Sequence, residues 1–280
     1  MSNEKLLNIA LESAKKAGVE VMKYYRDKSF TAELKEDESP VTSADIAAND
    51  ILMDQLRTLT PDIPIISEEV GAVSLAERKN WSKYWLLDPI DGTGEFIIGS
   101  GDFAVNIALV ENGWPSIGVI HAPDHHLTYY AQTRLGAFKE CNAQGSSQEG
   151  QSSHQIHVAD YQENRRIKVA ISRRQQLHLM GQYLNSGYDY DYVALGSCSL
   201  KNCLIAEGGA DCYLRVGVTG EWDTGASQCI LEQAGGTIIN SEFNPMTYNK
   251  RESLLNPDFL SLGNQNIHWK DVIKAHRKVY

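Results

Sequence analysis

Between residues 103 and 122 the chain reads FAVNIALVENGWPSIGVIHA, two apolar runs joined through Asn112-Gly113. Asn-Gly is the dipeptide favoured where both central residues of a two-residue turn must take positive φ, so the segment predicts a β-hairpin. LTYYAQ and GAFKE follow and extend the β-rich region. Ahead of it lies a helical stripe, Leu7, Ala10, Leu11, Ala14, Ala17, Val21 and Met22. The polar stretch DKSFTAELKEDESP reads as strand or loop, and VTSADIAANDILMDQLRTL as a second helix capped by Thr42 or Ser43. IPIIS and YWLLD are short apolar runs that each end directly in carboxylates.

CNAQGSSQEGQSSHQ, from Cys141 to Gln155, is the one clear shift of composition and predicts an exposed loop near a domain boundary. Beyond it strand and helix patterns alternate. KVAIS precedes a helix from Gln175 to Leu184, YVALG one from about Ser199 to Glu207, and CYLRV one from about Thr224 to Ala234, before GTIIN. The expectation is a β-rich α+β half over residues 1–140, with an antiparallel sheet and the reactive carboxylates, and an α/β half over 141–280 completing the site.

The net charge of −10 argues against a general nucleic-acid binder, whose phosphate contacts need a basic face. No run approaches the ~18 apolar residues of a membrane span, and the first residues lack the apolar core of a secretory signal. The five cysteines (141, 198, 203, 212, 229) are odd in number and form no C-x-x-C pair. Free thiols in a reducing cytoplasm, or at the inner face of the membrane, are the expectation.

The chemical centre is Trp85-Leu86-Leu87-Asp88-Pro89-Ile90-Asp91-Gly92-Thr93-Gly94-Glu95-Phe96. Here an apolar strand is expected to stop at Asp88, since Pro89 fixes the backbone and cannot donate to a ladder. Asp88 and Asp91, three apart across a turn, can face one side, where two carboxylates repel unless protonated or bridged by cations. Mg²⁺ suits such oxygen ligands, and the Ile90 carbonyl offers another. Gly92-Thr93-Gly94 has the composition of a phosphate-holding turn. Taken singly, each motif has a plain structural explanation: an aspartate-rich turn, a solvated loop for Glu68-Glu69, a helix N-cap for Asp223. Three acidic motifs at strand ends and a helix start are harder to explain that way together.

SPVTSADIAAND, LRTLTPDIPIISEE, YWLLDPIDGT, FAVNIALV, LKNCLIAEG, WDTGA and RESLLNP together resemble the inositol monophosphatase superfamily of metal-dependent, lithium-sensitive phosphatases. Glu95-Phe96 and RESLLNP point within it to the bacterial 3'(2'),5'-bisphosphate nucleotidase branch, the CysQ type. The resemblance implies a layered αβαβα sandwich with its site between two halves. It further implies one Mg²⁺ on Glu68, Asp88 and the Ile90 carbonyl, a second on Asp88, Asp91 and Asp223, and a third, weaker one near Glu68. Thr93, relayed to Asp45, would orient the attacking water. Gly92, Thr93, Ser197, Lys201, Arg215 and Asp223 would contact a phosphorylated nucleotide, with Arg251 a further candidate. Thr42-x-x-Asp45 is also a capping-box pattern, and both roles for Asp45 are compatible.

The implied substrate is adenosine 3',5'-bisphosphate, the by-product of sulfate activation and sulfotransfer, hydrolysed to AMP and phosphate. Relatives carry lysine after D-G-T, where this chain has Gly94. An inositol-1-phosphate or sugar-phosphate phosphatase therefore stays open, as does a regulator that binds nucleotide without turnover. Intact Asp45, Thr93 and four metal carboxylates weigh against the regulator. Oligomeric state is left open. His125-His126 is assigned no role.

Overall fold

The computed structural model describes residues 1–35, 38–71, 73–141, 152–163, 165–173 and 177–274. Helix α1 (Asn3–Asp27) leads into a small hairpin of β1 (Ala32–Leu34) and β2 (Pro40–Thr42), then α2 (Ser43–Leu59), β3 (Ile65–Ser67) and α3 (Leu75–Arg78). Strand β4 (Lys83–Asp91) and helix α4 (Thr93–Ile98) precede a run of strands: β5 (Ala104–Glu111), β6 (Trp114–Ala122), β7 (Leu127–Gln132), β8 (Gly136–Cys141) and β9 (Ser152–Ile156). The remainder is β10 (Ile167–Ile171), α5 (Leu177–Met180), β11 (Tyr190–Ala194), α6 (Cys198–Ala206), β12 (Cys212–Arg215), α7 (Glu221–Gln233), β13 (Thr237–Asn240), β14 (Phe259–Leu262) and α8 (Trp269–Val272).

Strands β3 to β9 form a seven-stranded sheet in sequence order, antiparallel except for β3 against β4. The predicted hairpin is β5–β6, with Asn112 at φ 54° and Gly113 at φ 86°, the positive values its turn demands. The second sheet runs β11-β10-β12-β14-β13, parallel around β10 and antiparallel through β14.

Alternation along β4–β6 sends side chains to two cores. Trp85, Leu87, Val105, Ile107, Leu109, Ile117 and Val119 pack against α1, through its stripe residues Leu7, Ala10, Ala14, Ala17 and Val21, and against α2, through Ala48, Leu52 and Leu56. Tyr84, Leu86, Ala104, Ala108 and Ile120 face α6 and α7, through Leu200, Cys203, Ala226 and Ile230, and beyond them Ala170, Tyr213 and Phe259 of the second sheet. The outer face of that sheet is closed by Met180, Leu184, Trp269 and Val272. The layers are thus αβαβα, each fully buried aliphatic side chain contributing about 1.5–3 kcal/mol.

Several elements depart from the sequence expectation. Strand β4 does not stop at Asp88: its ladder with β5 slips between Asp88 and Asp91 and resumes at Asp91 opposite Ala104. Pro89 removes a donor without ending the strand, because the bulge absorbs the missing bond. The stretch read as a loop to Gln155 yields β9 from Ser152, paired with β8; residues 142–151 lie outside the described residues. Of the helix expected from Gln175 to Leu184, residues 175 and 176 lie outside the described residues and α5 is a single turn.

The RESLLNP segment is held from below by a residue the sequence did not mark. Arg78 is fully buried, and its guanidinium donates to the carbonyls of Val73, Arg251 and Glu252 and to Asn249 Oδ1 at 2.5–2.9 Å. Arg78→Met keeps the aliphatic packing but leaves those acceptors without donors, so it is expected to destabilise the fold by about 3 kcal/mol or more. Urea unfolding checks this; a loss below about 1 kcal/mol would make the four bonds incidental.

Candidate active site

The bulge of β4 and the starts of β2, α4, α6 and α7 converge on a cavity of about 450 Å³. Asp88 is wholly buried, and neither carboxylate oxygen has a hydrogen-bond partner among the described residues. Its pKa is driven well above the usual carboxylate range by burial first, then by the charges of Glu68, Asp91 and Asp223. Asp88, Asp91 and Asp223 bring carboxylate oxygens within 4.8 Å of one another. At that spacing two carboxylates repel by about 3 kcal/mol at an effective dielectric of ~20. An orphaned buried carboxylate among like charges is the donor set of a divalent cation.

The other members are differently held. Asp91 Oδ2 accepts from the Ser197 hydroxyl (2.5 Å) and from the Ser199 N–H (2.6 Å) and hydroxyl (2.5 Å), so α6 starts on this carboxylate. Asp223 lies three residues into α7, where one oxygen accepts from the Gly220 N–H at 2.6 Å; it is not the N-cap, which is Gly220, but closes a capping box from the third helical position. Burial, then Asp91 and Glu68, raise its pKa well above the ordinary value. Glu68, just past β3, is raised chiefly by burial, and Lys35 opposes this with an ammonium 2.9 Å from Glu68 and 2.7 Å from Glu69. Burial pulls the Lys35 pKa down, and the two glutamates overcome it and push it up. Lys35 sits in the polar stretch read as strand or loop, where no local pattern marked it.

Gly92 has φ 94°, and a Cβ there would lie 2.9 Å from the Asp102 carbonyl, so only glycine lets α4 start this close. The Thr93 hydroxyl is 3.1 Å from Asp45 Oδ1 and 3.0 Å from the Ile90 carbonyl. Asp45 is buried and accepts from the Thr42 N–H (2.8 Å) and hydroxyl (2.5 Å), so it caps α2 and reaches Thr93 at once. Burial raises its pKa to about 6, against the hydrogen bonds from Thr42.

The cations expected to meet substrate are placed unequally. Lys201 lines the cavity but is buried, its ammonium donating to the carbonyls of Leu195, Gly196 and Ser197 at 2.5–3.3 Å, and burial lowers its pKa. Arg215 also lines it; Nη2 donates to the Val218 carbonyl, while Nε is buried without a hydrogen-bond partner among the described residues. Arg251 is not among the lining residues, and its guanidinium lies 3.7 Å from buried Glu221. Among the described residues, the Cβ position of Gly94 meets nothing within 4 Å, so a side chain would have room there.

His125, given no role, contacts buried Asp102 at 3.0 Å. Asp102 also accepts from Arg173 (2.6 Å) and from the Gly196 N–H (2.7 Å), which ties the turn before Ser197 to the strand following α4. Only the fold brings these four segments together.

The family model of the inositol monophosphatase family matches residues 2–276. The 3'(2'),5'-bisphosphate nucleotidase CysQ of Aggregatibacter actinomycetemcomitans is 39% identical over 271 residues, 97% of each chain. The protein of the same name from Escherichia coli is 40% identical over 255 residues, 91% of this chain and 98% of its own. Among solved structures, the crystal structure of CysQ from Bacteroides thetaiotaomicron, a bacterial member of the inositol monophosphatase family, superposes with a TM-score of 0.78. It is 33% identical and covers 93% of this chain and 98% of that one. The Thermotoga maritima IMPase, 23% identical with a TM-score of 0.71, shares the fold.

Proposed function

The chain belongs to the inositol monophosphatase family, and from that membership we propose that it is a Mg²⁺-dependent 3'(2'),5'-bisphosphate nucleotidase, converting adenosine 3',5'-bisphosphate to AMP and phosphate. The observation that carries the phosphatase chemistry is Asp88, a wholly buried carboxylate set among the charges of Glu68, Asp91 and Asp223, with no donor to its oxygens among the described residues. Near-full-length likeness to nucleotidases supports the choice of substrate. Among the described residues no helix is long and apolar enough to cross a membrane. We place the enzyme in the cytoplasm, where the four buried free cysteines stay reduced.

Glu68, Asp88 and the Ile90 carbonyl would hold one Mg²⁺, and Asp88, Asp91 and Asp223 a second, with a third, weaker one near Glu68. When bound, the cations supply positive charge against the phosphoryl oxygens and acidity for a water. Thr93, its hydroxyl shared between Asp45 and the Ile90 carbonyl, is oriented to accept from that water as its own proton turns toward Asp45. The turn at Gly92-Thr93 cradles the scissile phosphate. Ser197 holds Asp91, and Lys201 stiffens the turn before α6 through three carbonyls. Arg215, which lines the cavity, is the cation we assign to the second phosphate.

A phosphate-release panel tests the reading. Adenosine 3',5'-bisphosphate should be preferred over inositol 1-phosphate and fructose 1,6-bisphosphate. A charge-assisted contact to the second phosphate is worth about ten- to a hundredfold in kcat/KM. Gly94→Lys has room for its side chain and should widen the preference. Inositol 1-phosphate turned over as well as the nucleotide would exclude the nucleotidase and keep the phosphatase.

A further inference from the structure

Helix α4 is only six residues long, yet it is firmly mounted. Phe96 is buried in a cluster with Tyr25, Phe30 and Phe103, ring centroids 4.9–5.3 Å from its own. The neighbouring side chain, Glu95, lies along Gly196, where a Cβ would come within 2.6 Å of Glu95 Cγ. Glu95 lines the active-site cavity, and its Oε2 is buried without a hydrogen-bond partner among the described residues. Family chemistry assigned this residue nothing beyond its place in a motif.

A carboxylate oxygen kept dry and unpaired is costly, and an enzyme retains one where a ligand completes it. The phosphates of the substrate are acceptors and repel it. A neutral hydroxyl donor is the partner a carboxylate in this wall takes. Glu95 sits two residues beyond Thr93 on the same helix, beside the carboxylate cluster where the scissile phosphate is held. The apolar lining residues Val218, Trp222 and Leu255, which suit a base, come from other segments. The sugar group nearest the phosphate is therefore the one in reach.

Resting on the nucleotidase reading, we propose that Glu95 is a specificity-determining residue whose carboxylate accepts a hydrogen bond from the ribose hydroxyl vicinal to the scissile ester. That hydroxyl is present whichever of the 2' and 3' oxygens carries the phosphate, so one acceptor serves both isomers. A deoxyribose substrate leaves Oε2 buried and unpaired, and is selected against.

The test compares kcat/KM for adenosine 3',5'-bisphosphate and its 2'-deoxy analogue in wild type, Glu95→Gln and Glu95→Ala. Wild type should favour the ribonucleotide by about ten- to a hundredfold, the value of a hydrogen bond to a charged group. The ratio should shrink in Glu95→Gln and approach unity in Glu95→Ala. Both variants should melt near the wild-type temperature, because the buried Oε2 gives up no hydrogen bond among the described residues. The isosteric Gln variant carries the comparison if the Ala variant folds poorly, and a ratio is insensitive to the folded fraction. A wild-type ratio near unity, or one unchanged in both variants, overturns the proposal and leaves the nucleotidase reading intact. Turnover of inositol 1-phosphate with neither nucleotide hydrolysed overturns both.

Discussion

Asp88→Asn is expected to lower kcat at millimolar Mg²⁺ by more than the 10–100-fold that loss of a group merely supporting a metal ligand typically costs. Asp88 is the carboxylate shared by both proposed cation sites, so halving its charge weakens the two together. The fold should survive. The substitution is isosteric and removes one charge from a buried cluster of mutually repelling carboxylates. Without divalent cation the variant should even be more stable than wild type. The sign follows from the raised pKa values of Glu68, Asp88 and Asp223. A carboxyl whose folded pKa is raised lends its full stability below about pH 4, where the unfolded chain titrates, and loses it as pH rises through the folded pKa. Metal-free wild type should thus melt at falling temperature as pH rises above about 4, and Asp88→Asn should flatten that slope. Mg²⁺ at a hundredfold its dissociation constant should restore about 2.7 kcal/mol, or roughly 5–10 °C, to wild type and far less to the variant. Normal turnover by the variant at limiting Mg²⁺, with unchanged thermal shifts, would remove Asp88 from the cation sites.

Thr93→Ala and Asp45→Asn should each reduce kcat by about 10²–10⁴-fold with little change in KM, since both act on the water rather than on the bound nucleotide. The double variant should be scarcely worse than either single one, as expected for residues in one relay. Asp45 must be ionised to draw the Thr93 proton, and burial sets its pKa near 6. The rate should therefore rise with pH through about 6 in wild type, and that acid limb should vanish from the residual activity of Asp45→Asn. Multiplicative losses in the double variant, with the limb unmoved, would reduce Asp45 to a helix cap. The stability side separates the roles further. Asp45→Asn also weakens the bonds to Thr42, and a cap of this kind is worth about 1 kcal/mol, so a modest drop in melting temperature is expected in either case.

What could be read along the chain was whatever depends on neighbours in sequence. The Asn112-Gly113 turn, the stripe of α1 and the N-terminal signals of α2 are local, and their elements appear where predicted. The D-P-I-D-G-T, S-E-E and W-D-T-G-A motifs were legible because strand ends and helix starts are where a fold presents rigid side chains. The alternation in the second half likewise marked most of its strands. Short β14 and the single-turn α8 carried no such period and went unread.

Tertiary structure decided which of those side chains are free to act. Ser197 and Lys201 were expected at the substrate, yet one hydroxyl is committed to Asp91 and the ammonium to three carbonyls. Arg251 is drawn to Glu221, while Lys35, from an unremarkable polar stretch, pairs with Glu68. Asp102, Arg173, His125 and Gly196 meet from four places in the chain. Residue types and spacing determine what chemistry a chain can offer. Whether a given donor is already spent, or a carboxylate oxygen such as those of Asp88 or Oε2 of Glu95 is left without a donor among the described residues, depends on partners brought close through space, because desolvation and hydrogen bonding are set by distance in the folded chain rather than along it.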